Sequence, residues 1–159
     1  MDENEQFIQR ATLHMDGIFR LAFSCLKSKA DADDVTQTVL LRLYESGKVF
    51  ESEDHVKHWL IRVTLNECRK HWRSPWSRTE DFTDYANTLT FHAPPDREVF
   101  DAVMALRPKY RVVIFLHYYE GYKLEEIARL LNLPRGTVGT QLKRAREQLK
   151  KSLSEEAFL

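Results

Sequence analysis

The sequence predicts an all-helical protein built as two small domains, and three observations predict it. Glycine and proline number five each, too few for the tight turns of a barrel or sandwich. Apolar residues recur at every third or fourth position through most of the chain, which is the period of an amphipathic helix. That period lapses between Pro75 and Pro95, where Thr, Asp, Asn and Pro gather, so the chain is expected to divide there. The expected boundaries are a domain over residues 1–74, a linker over 75–95 and a second domain over 96–159.

Each element has its own signal. Ile8, Ala11, Met15, Ile18, Ala22 and Leu26 form one stripe of a first helix over Phe7 to Leu26. Asp31 followed by Asp34 resembles an N-cap with an acidic first turn, and Gly47 suits the left-handed stop of the second helix. A third helix begins near Ser52 to His55 and runs until Ser74-Pro75, because the residue before proline disfavours helix. Its middle is apolar on more than one side and should be largely buried. Past the linker, Asp96 is expected to cap a helix that Pro108 ends and restarts, the new segment running from Lys109 to Glu120 and closing at Gly121. Leu124 to Leu131 and Arg135 to Leu153 follow, separated by Asn132-Leu133-Pro134, the length of a helix-turn-helix connection.

Lys plus Arg and Asp plus Glu both total 24, so no global field draws the chain to nucleic acid or membrane and any such binding must be local. With 43% hydrophobic and 30% charged residues the composition is that of a soluble globular protein. The longest apolar run, Val112 to Leu116, falls far short of the ~20 residues of a membrane span. The N-terminus is acidic rather than a basic, apolar leader, and Cys25 and Cys68 show no metal-type pairing. A cytoplasmic setting without membrane insertion is expected. His55, His58, Cys68 and His71 match no zinc spacing, and no phosphate-cradling loop or nucleophile–base pair stands out. No metal, cofactor or catalytic residue is expected, and the chain does not read as an enzyme.

Two local patches carry the chemistry. In the helix-turn-helix, Ile127, Ala128 and Leu131 should face Val138, Leu142, Ala145 and Leu149, leaving Arg135, Thr140, Lys143, Arg144 and Lys150 outward, a face that fits a DNA major groove. A solvated bundle helix has a similar charge run, but Arg135, Lys143, Arg144, Arg146, Lys150 and Lys151 against Glu147 alone favour DNA. The third helix carries Lys57, Arg62, Arg69, Lys70, Arg73 and Arg78, interrupted only by Glu67, with Trp59, Trp72 and Trp76 among them. Cations beside aromatics suit single-stranded DNA, and the amide of Asn66 suits a base edge. Trp59 reads as core, whereas Trp72 and Trp76 fit core and base stacking equally.

The strings Asp31-Ala32-Asp33-Asp34-Val35-Thr36-Gln37-Thr38-Val39-Leu40-Leu41-Arg42-Leu43-Tyr44, Trp59 to Asn66, Leu106-Arg107-Pro108-Lys109-Tyr110-Arg111, Glu126-Ile127-Ala128 and Gly136-Thr137-Val138 occur in that order. Together they make the chain resemble a bacterial RNA polymerase sigma factor of the sigma-70 family, extracytoplasmic function subfamily, over Glu5 to Leu153. The resemblance implies a sigma-two-like three-helix domain and a sigma-four-like helix-turn-helix domain that bind core RNA polymerase and direct promoter recognition and transcription initiation. It implies that Asp34, Gln37, Thr38, Leu41, Arg42 and Tyr44 meet the polymerase clamp. It also implies that the loop from Gly47 to Asp54 and the third helix, through Lys57, Arg62, Asn66, Arg69, Lys70 and Arg73, meet melted promoter DNA. Duplex promoter DNA falls to Arg135, Thr137, Thr140, Gln141, Lys143 and Arg144, and a cognate anti-sigma factor is a further partner the family often has.

The chain departs from that pattern in one place. After Gly136-Thr137-Val138, where relatives typically carry Lys or Arg and then Ser and Arg, it has Gly139, Thr140 and Gln141. Guanine reading then rests on Arg135, Lys143 or Arg144. Lys123 likewise stands where a Ser or Thr cap is usual. The alternative of another class is a helix-turn-helix regulator or adaptor that never opens DNA.

Overall fold

The computed structural model describes residues 2–72 and 94–157, and these form helices gathered into two compact units. The first unit holds α1 (Glu3–Leu26), α2 (Lys29–Glu45) and α3 (Glu53–Trp72), each packed on the other two. The second holds α4 (Pro94–Met104), α5 (Pro108–Ile114) with a π turn over Phe115–Tyr119, α6 (Leu124–Leu131) and α7 (Arg135–Ala157). The expected linker lies outside the described residues except at its end, where Pro94 and Pro95 already open α4. Arg73, Trp76 and Arg78 also lie outside them.

Helix α1 starts earlier than its apolar stripe because the Asp2 carboxylate accepts from the Glu5 amide at 2.8 Å and caps it. Lys27 closes it at a left-handed φ of 53°, its N–H bonded to the Phe23 carbonyl. The next residue, Ser28, and not Asp31, caps α2: its hydroxyl accepts from the Asp31 amide at 3.2 Å. Asp31 sits inside the first turn, where its charge still complements the helix dipole. Gly47 has the expected positive φ, and Ser52 caps α3 through the His55 amide at 3.1 Å. The core of this unit is Leu21, Ala22, Cys25, Val35, Val39, Val56, Leu60, Leu65 and Cys68. Thr36 and Thr64, buried among them, return their hydroxyl hydrogens to the carbonyls four residues back, Ala32 and Leu60, so neither leaves an unmet donor.

In the second unit Asp96 lies within α4 rather than at its cap, since prolines are accommodated in a first turn whose N–H donors would find no acceptor within the helix. Helix α5 does restart at Pro108, but its continuation widens: Glu120 N–H bonds Phe115 O, five residues back, at 3.1 Å. The wide turn keeps Phe115 and Leu116 inside while Tyr118 and Tyr119 are exposed. Helices α6 and α7 match the expected connection, with Asn132 taking the left-handed φ of 56° that ends α6. The inward stripe of α6 is Ile127, Ala128, Leu130 and Leu131, the last half-buried at the end of the helix.

Candidate nucleic-acid interface

Helix α2 has two unlike sides. Val35, Val39 and Leu43 are core, while Asp34, Gln37, Leu41 and Tyr44 lie exposed along the other side with Thr38 half-buried beside them. Leu41 is 56% and Tyr44 59% exposed, large apolar surfaces that folding leaves in water. Tyr44 is steadied by Phe7 of α1, edge to face at 5.1 Å. Arg42, the one cation of the set, is turned across to α3, where it meets Glu67 at 2.8 Å.

Glu67 is nearly enclosed and receives Lys70 at 3.1 Å on the same carboxylate oxygen. Two residues singled out for different partners thus converge on one acid that in sequence only interrupts a basic run. On α3, Arg62, Asn66 and Arg69 follow at i, i+4 and i+7 and share a face, and Arg69 donates to the Asn66 amide oxygen at 2.9 Å. That bond occupies the Asn66 amide oxygen and leaves its NH2 as a donor on an exposed side chain. Lys57 does not join them: at ~100° per residue it lies well round the helix from Arg62, and it is half-buried. Trp72 is exposed in part yet tied down, its indole N–H donating to the Cys25 carbonyl at 3.1 Å. Trp59 is half-buried rather than full core.

The loop before α3 is held from below by residues that sequence reasoning missed. Phe50 packs edge to face on His55 at 5.3 Å and on Trp59 at 5.7 Å, with the Arg10 guanidinium 5.2 Å over its ring. Arg10 and His14 of α1 also reach Glu53, at 3.7 and 3.6 Å. Only an aromatic at position 50 hinted at this, since Arg10 and His14 come from a helix about forty residues earlier. Lys48 and Val49 are left exposed at the tip.

On α7, Val138, Leu142 and Ala145 are buried with Leu149 half-buried, and Thr137, Thr140, Lys143 and Arg144 are exposed on the opposite side. Thr140 donates its hydroxyl to Gly136 O at 3.0 Å, keeping its oxygen able to accept. Arg135 is gripped by Glu125 of α6 at 2.7 Å. The backbone of Glu125 and the guanidinium beside it hold that carboxyl below the usual carboxylate range, so the pair persists as pH falls until that lowered range is reached. Both groups are exposed, and the pair positions Arg135 more than it stabilises the fold. Gln141 lies at the flank, half-buried, its Oε1 enclosed without a hydrogen-bond partner among the described residues. Lys123 starts α6 with no side-chain cap, but its N–H donates to the Glu126 carboxylate at 3.1 Å, half of a capping box.

Gly139 is not demanded by close packing, because a Cβ there meets only Leu124 Cδ1 at 4.0 Å. Gly139→Ala is therefore expected to stabilise the second unit by up to ~1 kcal/mol, through higher helix propensity. Urea unfolding monitored by helical circular dichroism reads this, and a destabilised variant would contradict it.

Among the described residues no helix is long and apolar enough to cross a membrane, and no three His, Cys, Asp or Glu side chains gather as a metal site. Two family signatures match the chain, Sigma-70 region 2 over residues 11–78 and Sigma-70 region 4 over residues 96–149. The RNA polymerase sigma-E factor of Streptomyces coelicolor is 30% identical, the match covering 96% of this chain and 89% of the relative. The ECF RNA polymerase sigma factor SigW of Bacillus subtilis is 28% identical over 95% of this chain and 90% of its own. Among solved structures, the sigma factor RpoE in complex with the anti-sigma factor NepR from Bartonella quintana aligns with a TM-score of 0.73 at 19% identity, covering 94% of this chain and 98% of that one. CnrH in complex with the cytosolic domain of CnrY aligns at 0.68 and 24% identity, covering 96% and 90%.

Proposed function

Since the chain belongs to the sigma-70 family of RNA polymerase sigma factors, in its extracytoplasmic-function group, we propose a division of labour among the surfaces just described. The protein is a non-enzymatic initiation factor that binds core RNA polymerase and directs it to promoters. In this reading residues 1–74 engage polymerase and melted promoter, 75–95 connect, and 96–159 read duplex DNA. Asp34, Gln37, Thr38, Leu41 and Tyr44 dock on the polymerase, with Arg42 acting through Glu67 to fix α2 against α3. Arg62, Asn66 and Arg69 meet the displaced strand beside the anchored loop, with Lys70 at the edge, Lys57 on a different side and Arg73 next in the chain. Thr137, Thr140, Lys143 and Arg144 enter the duplex groove, Arg135 is presented by Glu125, and Gln141 contributes from the flank.

The observation that carries this reading is the exposed side of α2, where Leu41 and Tyr44 stand one turn apart beside Gln37 and offer an apolar surface to a protein partner. A plain helix-turn-helix regulator accounts for the second unit only and leaves the region 2 match unexplained. An anti-sigma protein is a further partner in this reading, by analogy with RpoE and NepR, and the cytoplasm is where the polymerase would be met.

The α3 surface has its own test. Asn66→Ala with Arg69→Ala removes a hydrogen-bonded unit from the exposed face and is expected to lower open-complex formation on duplex promoters at least ~10-fold, but much less on templates with a preformed bubble. Permanganate footprinting with holoenzyme reads both; equal losses on the two templates would overturn base capture.

A further inference from the structure

The two cysteines stand outside every surface used above. Cys25 lies in the last turn of α1, Cys68 lies one turn before the end of α3, neither is in a disulfide, and both side chains are wholly enclosed in the first unit. Cys68 and Trp72 are four residues apart and share a face of α3, and the Trp72 indole reaches the Cys25 carbonyl at 3.1 Å. The face that carries Cys68 therefore lies on the last turn of α1. The neighbouring Cys25 side chain, as hydrogen-bond partner, and burial hold the Cys68 thiol well above its usual range.

We propose that Cys25 and Cys68 form a dithiol site that a two-electron thiol oxidant of the hydrogen peroxide class closes into a disulfide, stapling the end of α1 to the end of α3. The chemistry balances in two steps. Peroxide transfers one oxygen to a thiolate, giving a sulfenic acid and, with the thiol proton, one water; the neighbouring thiol then attacks the sulfenic sulfur, forming the S–S bond and expelling a second water. Both protons leave in the waters, both sulfurs are oxidised, and one peroxide is reduced. No residue beyond the pair is needed.

Enclosure and protonation set the conditions. The thiolate is the reactive form, so a raised thiol reacts slowly at neutral pH and ~10-fold faster for each pH unit toward its pKa. Peroxide enters when the last turn of α3 frays, a local opening that does not unfold the unit. Once formed, the bond closes a loop of about forty residues and restricts the unfolded chain, so the oxidised first unit should melt at least about 5 °C higher than the reduced one.

The test uses the full chain, fully reduced, exposed to hydrogen peroxide from pH 7 to pH 9 and analysed by intact mass, non-reducing peptide mapping and thermal melting. The expected product is a monomer that has lost two hydrogens, carries a Cys25–Cys68 cross-linked peptide, and melts higher until a reductant is added. Cys25→Ala and Cys68→Ala each lose this product; mapping of the unaltered chain decides the matter even where a variant fails to fold. Sulfinic acid on one cysteine, a covalent dimer, or two unreacted thiols after prolonged treatment at pH 9 would overturn the proposal.

Discussion

Gln37→Glu combined with Leu41→Glu is expected to abolish capture of the chain by core RNA polymerase while leaving its helicity and the DNA binding of its second unit unchanged. Leu41 is 56% exposed and Gln37 is exposed beside it, so neither contributes core packing and the change in folding stability should stay within ~0.5 kcal/mol. At an interface the balance reverses. Docking would bury what remains of Leu41 for ~1 kcal/mol, and the glutamates would instead carry two charges out of water into an interface formed for an alkyl group and an amide. Together these weaken binding ~100-fold or more, since each 1.4 kcal/mol is tenfold. Co-purification with core, alongside circular dichroism, reads the result, and undiminished capture would remove α2 from the interface. Arg42 is a poorer choice for this experiment: its loss strips Glu67 of one of the two cations that meet it among the described residues and disturbs the α2–α3 packing whether or not polymerase is present.

Arg111→Ala is expected to destabilise the second unit by ~3 kcal/mol. Pro108 interrupts the chain between α4 and α5, and the Tyr110 N–H, which a continuous helix would give to Leu106 O, goes to Arg107 O at 2.9 Å. The Leu106 carbonyl is thereby stranded in the interior. The buried Arg111 guanidinium supplies its donor at 2.6 Å, a charge-assisted bond that alanine removes together with most of the side-chain volume. The loss should lower the melting midpoint of this unit by more than ~10 °C and leave the first unit's transition in place. Calorimetry of the full chain separates the two, and a shift under ~2 °C would show that the bond is dispensable.

Local signals were sufficient for most of the fold. The limits of α6, the Asn132-Leu133-Pro134 connection and the start of α7 were legible because periodicity, a left-handed Asn and a proline all act within a few residues. Competition between local signals explains the misses. Ser28 and Asp31 both suit a cap, and Ser28 prevails because the chain leaves α1 through Lys27 in a left-handed turn that delivers Ser28 in extended geometry. The π turn left no trace in the spacing, since Phe115, Leu116, Tyr118 and Tyr119 put bulky side chains on several sides of this stretch and one extra residue shifts no single stripe.

By itself the sequence determined the helical class, the division into two units and the apolar faces, since these follow from 3.6-residue periodicity and from proline and glycine chemistry along the chain. Only the tertiary structure decided what the polar residues do. Glu67 became the shared anchor of Arg42 and Lys70, Phe50 became the fixed point of its loop under Arg10, Arg135 found Glu125, and two cysteines forty-three positions apart became neighbours. The physical reason is range. Burial of a helix stripe is written in the residues that form it, whereas a charge or thiol acquires its partner only when another helix brings one within a few ångströms, and that crossing depends on the packing of the whole unit.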